Sequence, residues 1–243
     1  MKIAACQLPH VHNDLGRAVS LVASYAGIAG NRGARIVCFP ECFLQGCDVT
    51  MGHVTRVAID RKSSEFAQVL RTLEAYQPVI IVGFIERQGR EFYNSAVAID
   101  RGTVVACYRK NHLLAGEQSV FEAGTEYPLF EVQGIKVGIN ICFDLNFAEA
   151  AQAVVEQGAE LIACPCNNMM HRGAAENWKH RHNEIRAQRA REQGVWLVSS
   201  DVTGESDGRI CYGPTAVIDP RGAVIDQVPL MQTGMVVVEI GNA

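Results

Sequence analysis

Short apolar runs rich in valine and isoleucine recur between more polar segments, at residues 2–8, 34–40, 78–86, 95–110, 134–143, 160–166, 195–202, 215–228 and 234–240. Runs of that length and composition predict strands. Between them, residues 13–30, 63–76, 145–157 and 174–193 carry apolar positions at three- and four-residue spacing, which predicts helices. The chain is therefore α/β. Asp100-Arg101-Gly102 and Asp219-Pro220-Arg221-Gly222 are turn chemistry inside paired strand runs, so two connections are hairpins and the sheet is mixed. The two hairpins, SAVAIDRGTVVA and TAVIDPRGAVID, resemble each other and fit paired elements of two packed sheets.

Length and charge narrow the class. At 243 residues and 48% hydrophobic, residues 1–243 suffice for one core and one domain. Lys and Arg total 22 against 26 Asp and Glu, a net charge of −4, which lacks the basic excess of a nucleic-acid binder. No apolar stretch reaches the roughly 18 residues of a membrane span. MKIAACQLPH reads as a first strand and not a signal peptide, so a cytoplasmic protein with no membrane association is expected. Nine cysteines, an odd number mostly inside strand runs, read as reduced core thiols.

Three strand ends carry chemistry. The run IKVGINIC ends on Cys142 just before a helical pattern, with Asp144 as a candidate N-cap. A thiol on such a turn meets free backbone N–H groups and the positive end of a helix dipole, favouring thiolate and offering donors to an oxyanion. Glu41 follows RIVCFP and Lys110 follows TVVACYR. Were their strands parallel to that of Cys142, all three would emerge at one sheet edge, where α/β proteins bind ligands. Cys164 and Cys166, with His171, His180 and His182, lack the second closely spaced pair of a metal site, so no metal is expected there. The charged segment 178–192 reads as a solvated or interface helix, with a minor alternative in which one of its Arg or His residues meets a substrate carboxylate.

The segments FPECFLQG (39–46), YRKNHL (108–113) and GINICFDLNFAEAA (138–151) together resemble, in order and separation, the three signatures of the nitrilase superfamily of carbon–nitrogen hydrolases. The resemblance runs from AACQL near the start to GPTAVIDPRGAVI near the end. It implies a four-layer αββα sandwich with two mixed sheets and a catalytic set of Glu41, Lys110 and Cys142. A second glutamate follows the lysine segment in the family, and Glu117 fits better than Glu122 or Glu126. The implied roles are Glu41 as base, Lys110 with the backbone N–H of Phe143 as oxyanion donors, and Glu117 as a positioning group. Asn167 and Asn168, after the strand ending at Cys166, are implied substrate contacts.

No cofactor is implied. The substrate expected is a small amide, with N-carbamoyl compounds and nitriles as alternatives that the same residues serve. A non-catalytic binding relative is the alternative from another class, and the intact Glu41, Lys110 and Cys142 argue against it. The family also implies a homodimer or higher homo-oligomer. Asn146 and Cys47 depart from the common pattern near the acyl pocket, so no single substrate carries over.

Overall fold

The computed structural model describes residues 1–241. The chain begins with β1 (Lys2–Pro9), α1 (Leu15–Asn31), β2 (Ala34–Cys38), α2 (Met51–Val57), α3 (Ser64–Leu73), β3 (Val79–Gln88), β4 (Glu91–Asp100) and β5 (Thr103–Arg109). It continues through β6 (Leu129–Val132), β7 (Ile135–Ile139), α4 (Ala148–Val155), β8 (Leu161–Pro165), β9 (Met170–His171), α5 (Arg172–Trp178) and α6 (Arg181–Gln193). The last strands are β10 (Trp196–Ser200), β11 (Val202–Ser206), β12 (Arg209–Cys211), β13 (Ala216–Ile218), β14 (Val224–Gln227) and β15 (Gly234–Glu239).

The strands form two mixed sheets. The first runs β5-β4-β3-β2-β1-β11-β12-β9, with β15 also pairing β1; the second runs β14-β13-β10-β8-β7-β6. The far edge of β1 is shared, by β15 antiparallel along Lys2–Gln7 and by β11 parallel at Leu8–Pro9. Both expected hairpins are present, β4–β5 in one sheet and β13–β14 in the other.

Strand alternation distributes the side chains into layers. In β1, Ile3 and Ala5 join Ile36 and Ile81 against Val137, Ile139, Leu161 and Val198 of the second sheet, forming the core between sheets. Ala4, Cys6 and Leu8 point the other way, onto Ala18, Val22 and Ala26 of α1 and Phe66, Val69 and Leu73 of α3. Ile162, Cys164 and Leu197 face Ala151 and Val154 of α4 and Ala190 of α6 on the far side. The result is the expected αββα sandwich. Caps fix two outer helices: the Asp14 side chain accepts the Arg17 N–H at 2.9 Å to start α1, and Ser63 Oγ accepts the Phe66 N–H at 3.1 Å to start α3.

Four departures from expectation have local causes. The helix expected over 174–193 is two helices, because α5 packs on β9 and β12 while α6 packs on β10 and β13. Strands β9 and β12 are two and three residues long, too short to show a period. The seven-residue α2 is equally silent. The helix expected from 145 begins at Ala148, with Phe147 and not Asp144 at its N-cap, because Cys142–Asn146 forms a tight 3-10 turn. No described helix is long and apolar enough to cross a membrane.

Candidate active site

Glu41 follows β2 on a loop stitched to both sheets. Its N–H donates to Cys166 O at 3.1 Å, while Pro40 O accepts the Gly83 N–H at 3.1 Å. Gly83 makes this approach possible, since a Cβ there would stand 2.5 Å from Cys42 N and 2.6 Å from Glu41 Cα. The carboxylate, 2% exposed, accepts from Lys110 Nζ and Asn94 Nδ2 at 2.7 Å each through Oε1, and from the Asn167 N–H at 2.9 Å through Oε2.

Lys110 follows β5, 1% exposed, with Nζ between Glu41 Oε1 and Glu117 Oε1 at 2.7 and 2.8 Å. Glu117 sits on a short 3-10 turn and is itself buried, its Oε2 accepting the Leu114 N–H at 2.8 Å. Glu122 and Glu126 are exposed on the surface. Asn94 donates to Glu117 Oε1 as well, at 3.1 Å, so one amide holds both carboxylates. Burial pushes the Glu41 carboxyl above its ordinary range, with Lys110 opposing and Glu117 adding to the rise. Burial works against the Lys110 charge, but Glu41, Glu117 and Cys142 outweigh it and its ammonium is held well above the usual lysine range.

Cys142 follows β7 of the second sheet, so the three groups do not leave one sheet edge as the parallel-strand expectation had it. Two of them crown the first sheet, where β2 and β5 run in the same direction, and the third is brought across by sheet packing. Cys142 adopts φ +44°, a left-handed conformation uncommon for a side-chain-bearing residue. Asp144 holds the turn: its Oδ2 accepts the Ile141 N–H and the Tyr108 hydroxyl at 2.8 Å each, and its Oδ1 accepts the His112 N–H at 2.8 Å. The strained turn carrying the thiol is thereby tied to the segment that carries Lys110.

The Cys142 thiol donates to Asn168 Oδ1 at 3.6 Å. A hydrogen bond with Cys166, then burial and the Glu41 charge, hold it well above the ordinary thiol range, against the pull of Lys110. This corrects the thiolate expected from the helix terminus. The turn beneath Cys142 is five residues of 3-10 helix, too few aligned peptides to offset burial and a nearby carboxylate.

A cavity of about 410 Å³ opens over these groups, lined by Glu41, Lys110, Glu117 and Cys142 together with Phe143, Asn167 and Asn168. The two asparagines differ. Asn168 Nδ2 donates to Asp201 Oδ2 and its Oδ1 serves Cys142, so its side chain is spent inside the protein. Asn167 Nδ2 is buried without a hydrogen-bond partner, a donor available to a ligand. The segment expected to be a solvated or interface helix also lines the cavity, through Trp178, His182 and Arg186. Arg186 is 4% exposed, its Nη2 lying 3.0 Å from Cys166 Sγ and 3.7 Å from Asp201 Oδ2. Burial pushes His182 down to about 3, so it faces the cavity neutral. Asn94, Asp201 and Arg186 escaped sequence reading. Their only signal was a polar residue at a strand or helix position whose partners lie far away in the chain.

The profile of the carbon-nitrogen hydrolase family matches residues 2–242. An (R)-stereoselective amidase of Pseudomonas sp. is 28% identical over 230 residues, covering 93% of this chain and 80% of that protein. A nitrilase of Pyrococcus abyssi is 32% identical over 215 residues, covering 87% and 79%, and an omega-amidase of Danio rerio is 30% identical over 228 residues, covering 88% and 78%. In fold, the chain is similar to a variant amidase from Nesterenkonia sp. AN1 with acrylamide added to its active-site cysteine, at a TM-score of 0.87 and 22% identity over 99% of this chain and 93% of that one. The family match over residues 2–242, joined to a cavity lined by the glutamate, lysine and cysteine of the three signature segments, places this chain in the carbon-nitrogen hydrolase family.

Proposed function

We propose that the protein is an amidase that cleaves a small carboxamide to its acid and ammonia through a thioester on Cys142. The observation that carries this reading is the Lys110 ammonium held between the Glu41 and Glu117 carboxylates on the wall of the cavity that contains Cys142. An amide is a weak electrophile with a poor leaving group, so it needs a strong nucleophile, a proton for the departing nitrogen and a stabilised oxyanion.

Glu41, its basicity raised by burial, takes the Cys142 proton as Sγ attacks the carbonyl carbon. The developing oxyanion is met by Lys110 Nζ and by the Phe143 N–H, a donor that the first turn of a helix leaves free. One such donor is worth roughly 3 kcal/mol of transition-state stabilisation. Glu41 then returns the proton to the leaving nitrogen, ammonia departs, and the same carboxylate activates the water that hydrolyses the thioester. Glu117 keeps Lys110 charged and in place throughout. The unpartnered Asn167 Nδ2 is the donor best placed to hold the substrate. Assembly into at least a dimer belongs to the same proposal, and light scattering that finds only a 26.5 kDa species would count against that part.

Incubation with short carboxamides, N-carbamoyl amines and nitriles, followed by ammonia release, tests the reaction. Ammonia from amides without carbon dioxide, an acyl mass adduct on Cys142 and complete loss in Cys142→Ala are expected. Release of carbon dioxide would reassign the substrate to a carbamoyl compound, and turnover by Cys142→Ala would overturn the nucleophile.

A further inference from the structure

A second constellation of ligating groups lies beside the catalytic cavity. His12, on the strap after β1, Asp48 and His53, on the first turn of α2, each offer one ligand atom, and these atoms all lie within 4.8 Å of one another. The backbone brings them together deliberately close. Asn13 N–H donates to Gln45 O at 3.0 Å, and Gly46 adopts φ +90° where a Cβ would stand 2.6 Å from Val11 O and 3.1 Å from His12 Cα. Only glycine permits that approach of the two segments.

The polar groups around the cluster are arranged as outer-shell partners of a metal site are. His53 is 3% exposed; its Nε2 lies 3.2 Å from Gly46 O, to which it donates, leaving Nδ1 buried, unpartnered and a lone-pair donor. An imidazole whose second nitrogen donates to a backbone carbonyl is the usual state of a metal ligand. Thr50 Oγ1 donates to Asp48 Oδ2 at 3.3 Å and accepts the His53 N–H at 3.3 Å, orienting both groups at once.

We propose that His12, Asp48 and His53 bind one divalent first-row transition ion. Two imidazoles and a carboxylate suit zinc, cobalt or nickel and leave a coordination position for water. Ligand atoms around a tetrahedral ion stand about 3.4 Å apart, as metal–nitrogen bonds of about 2.1 Å require. The ring of the exposed His12 stacks on that of His53, with centroids 4.9 Å apart, so it and the half-buried Asp48 must turn to close that distance onto the buried His53. Cys47 and Val49, on either side of Asp48, line the catalytic cavity, so the ion would pin the segment that forms its rim.

Cobalt(II) alone, titrated into the reduced full-length protein, is the probe. One equivalent should bind with visible d–d bands and no thiolate charge-transfer band, and the same should hold for Cys142→Ser. His12→Ala and Asp48→Asn, both at accessible side chains that leave the fold intact, should each weaken binding at least tenfold, which is 1.4 kcal/mol. Thermal unfolding should shift upward with cobalt(II) in the parent and not in those two variants. Absence of saturable binding, binding unchanged in both ligand variants, or binding lost only in Cys142→Ser would overturn the site. None of these results bears on amide hydrolysis, so the two readings fail separately.

Discussion

Gly83→Ala tests whether the position of Glu41 is set by the packing of its loop on β3. The added Cβ would lie 2.5 Å from Cys42 N, 2.6 Å from Glu41 Cα and 2.6 Å from Pro40 O. All three are backbone atoms, so no rotamer relieves the contact, and the loop must retreat by about 0.5 Å to reach even 3.0 Å. Ordinary contact at 3.4 Å takes about 0.9 Å. Retreat carries Glu41 away from Lys110 Nζ, now 2.7 Å distant, and out of charge-assisted hydrogen-bond range. A misplacement near 1 Å costs a catalytic constellation about 100-fold, and overpacking a buried strand costs about 1–3 kcal/mol of stability. Steady-state kinetics on a responsive amide should therefore show kcat down about 100-fold with KM nearly unchanged, and urea unfolding should confirm a folded but weaker protein. Gly52→Ala, which adds its methyl to open space, should leave both measurements as they are. A folded Gly83→Ala enzyme with kcat within threefold of the parent would refute the argument that this contact fixes the base.

The kcat/KM profile should rise with pH through a midpoint above the ordinary glutamate value of about 4.3, since burial disfavours the Glu41 carboxylate that must accept the proton, and Lys110, held above its usual range, should cause no decline below about pH 10. Asn94→Leu removes a donor to that carboxylate at 2.7 Å, so the rising limb should move further alkaline and kcat/KM should fall by roughly 10- to 100-fold, as losing one bond to a charge worth about 1.5–3 kcal/mol requires; an unmoved limb would exclude Asn94 as a positioning residue. Asp144→Asn should destabilise the fold by about 1–3 kcal/mol. The hydrogen bond that the His112 ring donates to Asp144 raises the folded pKa of His112, so their pairing stabilises fully below the unfolded value of about 6.5 and is lost as pH climbs through the raised one. The loss in Asp144→Asn measured by urea unfolding should accordingly be larger at pH 6 than at pH 9, and equal losses would contradict the pairing.

What the chain discloses before folding is what a contiguous segment can hold. Glu41, Lys110 and Cys142 each end a strand whose apolar run is visible, and each sits in a short stretch with a recognisable pattern. Their convergence is not local, because Cys142 arrives from the second sheet and meets the others only when the two inner faces pack. Asn94 shows the limit most clearly. It is a single polar residue in a buried strand, and its partners Glu41 and Glu117 stand 53 and 23 residues away in the chain. Asp144 shows how a correct local signal misleads: an aspartate before a helix reads as its cap, yet the N–H it accepts belongs to Ile141 and its other partners come from the lysine segment. Arg186 sits in a segment so charged that solvation is the natural reading, and it is buried because Asp201 and Cys166 reach it from other strands. A charged helix near a recognised nucleophile should therefore be judged by whether any strand can supply its charges with buried partners. In this chain, that question separates Arg186, fixed behind the cavity, from Arg191, which stays on the solvent face.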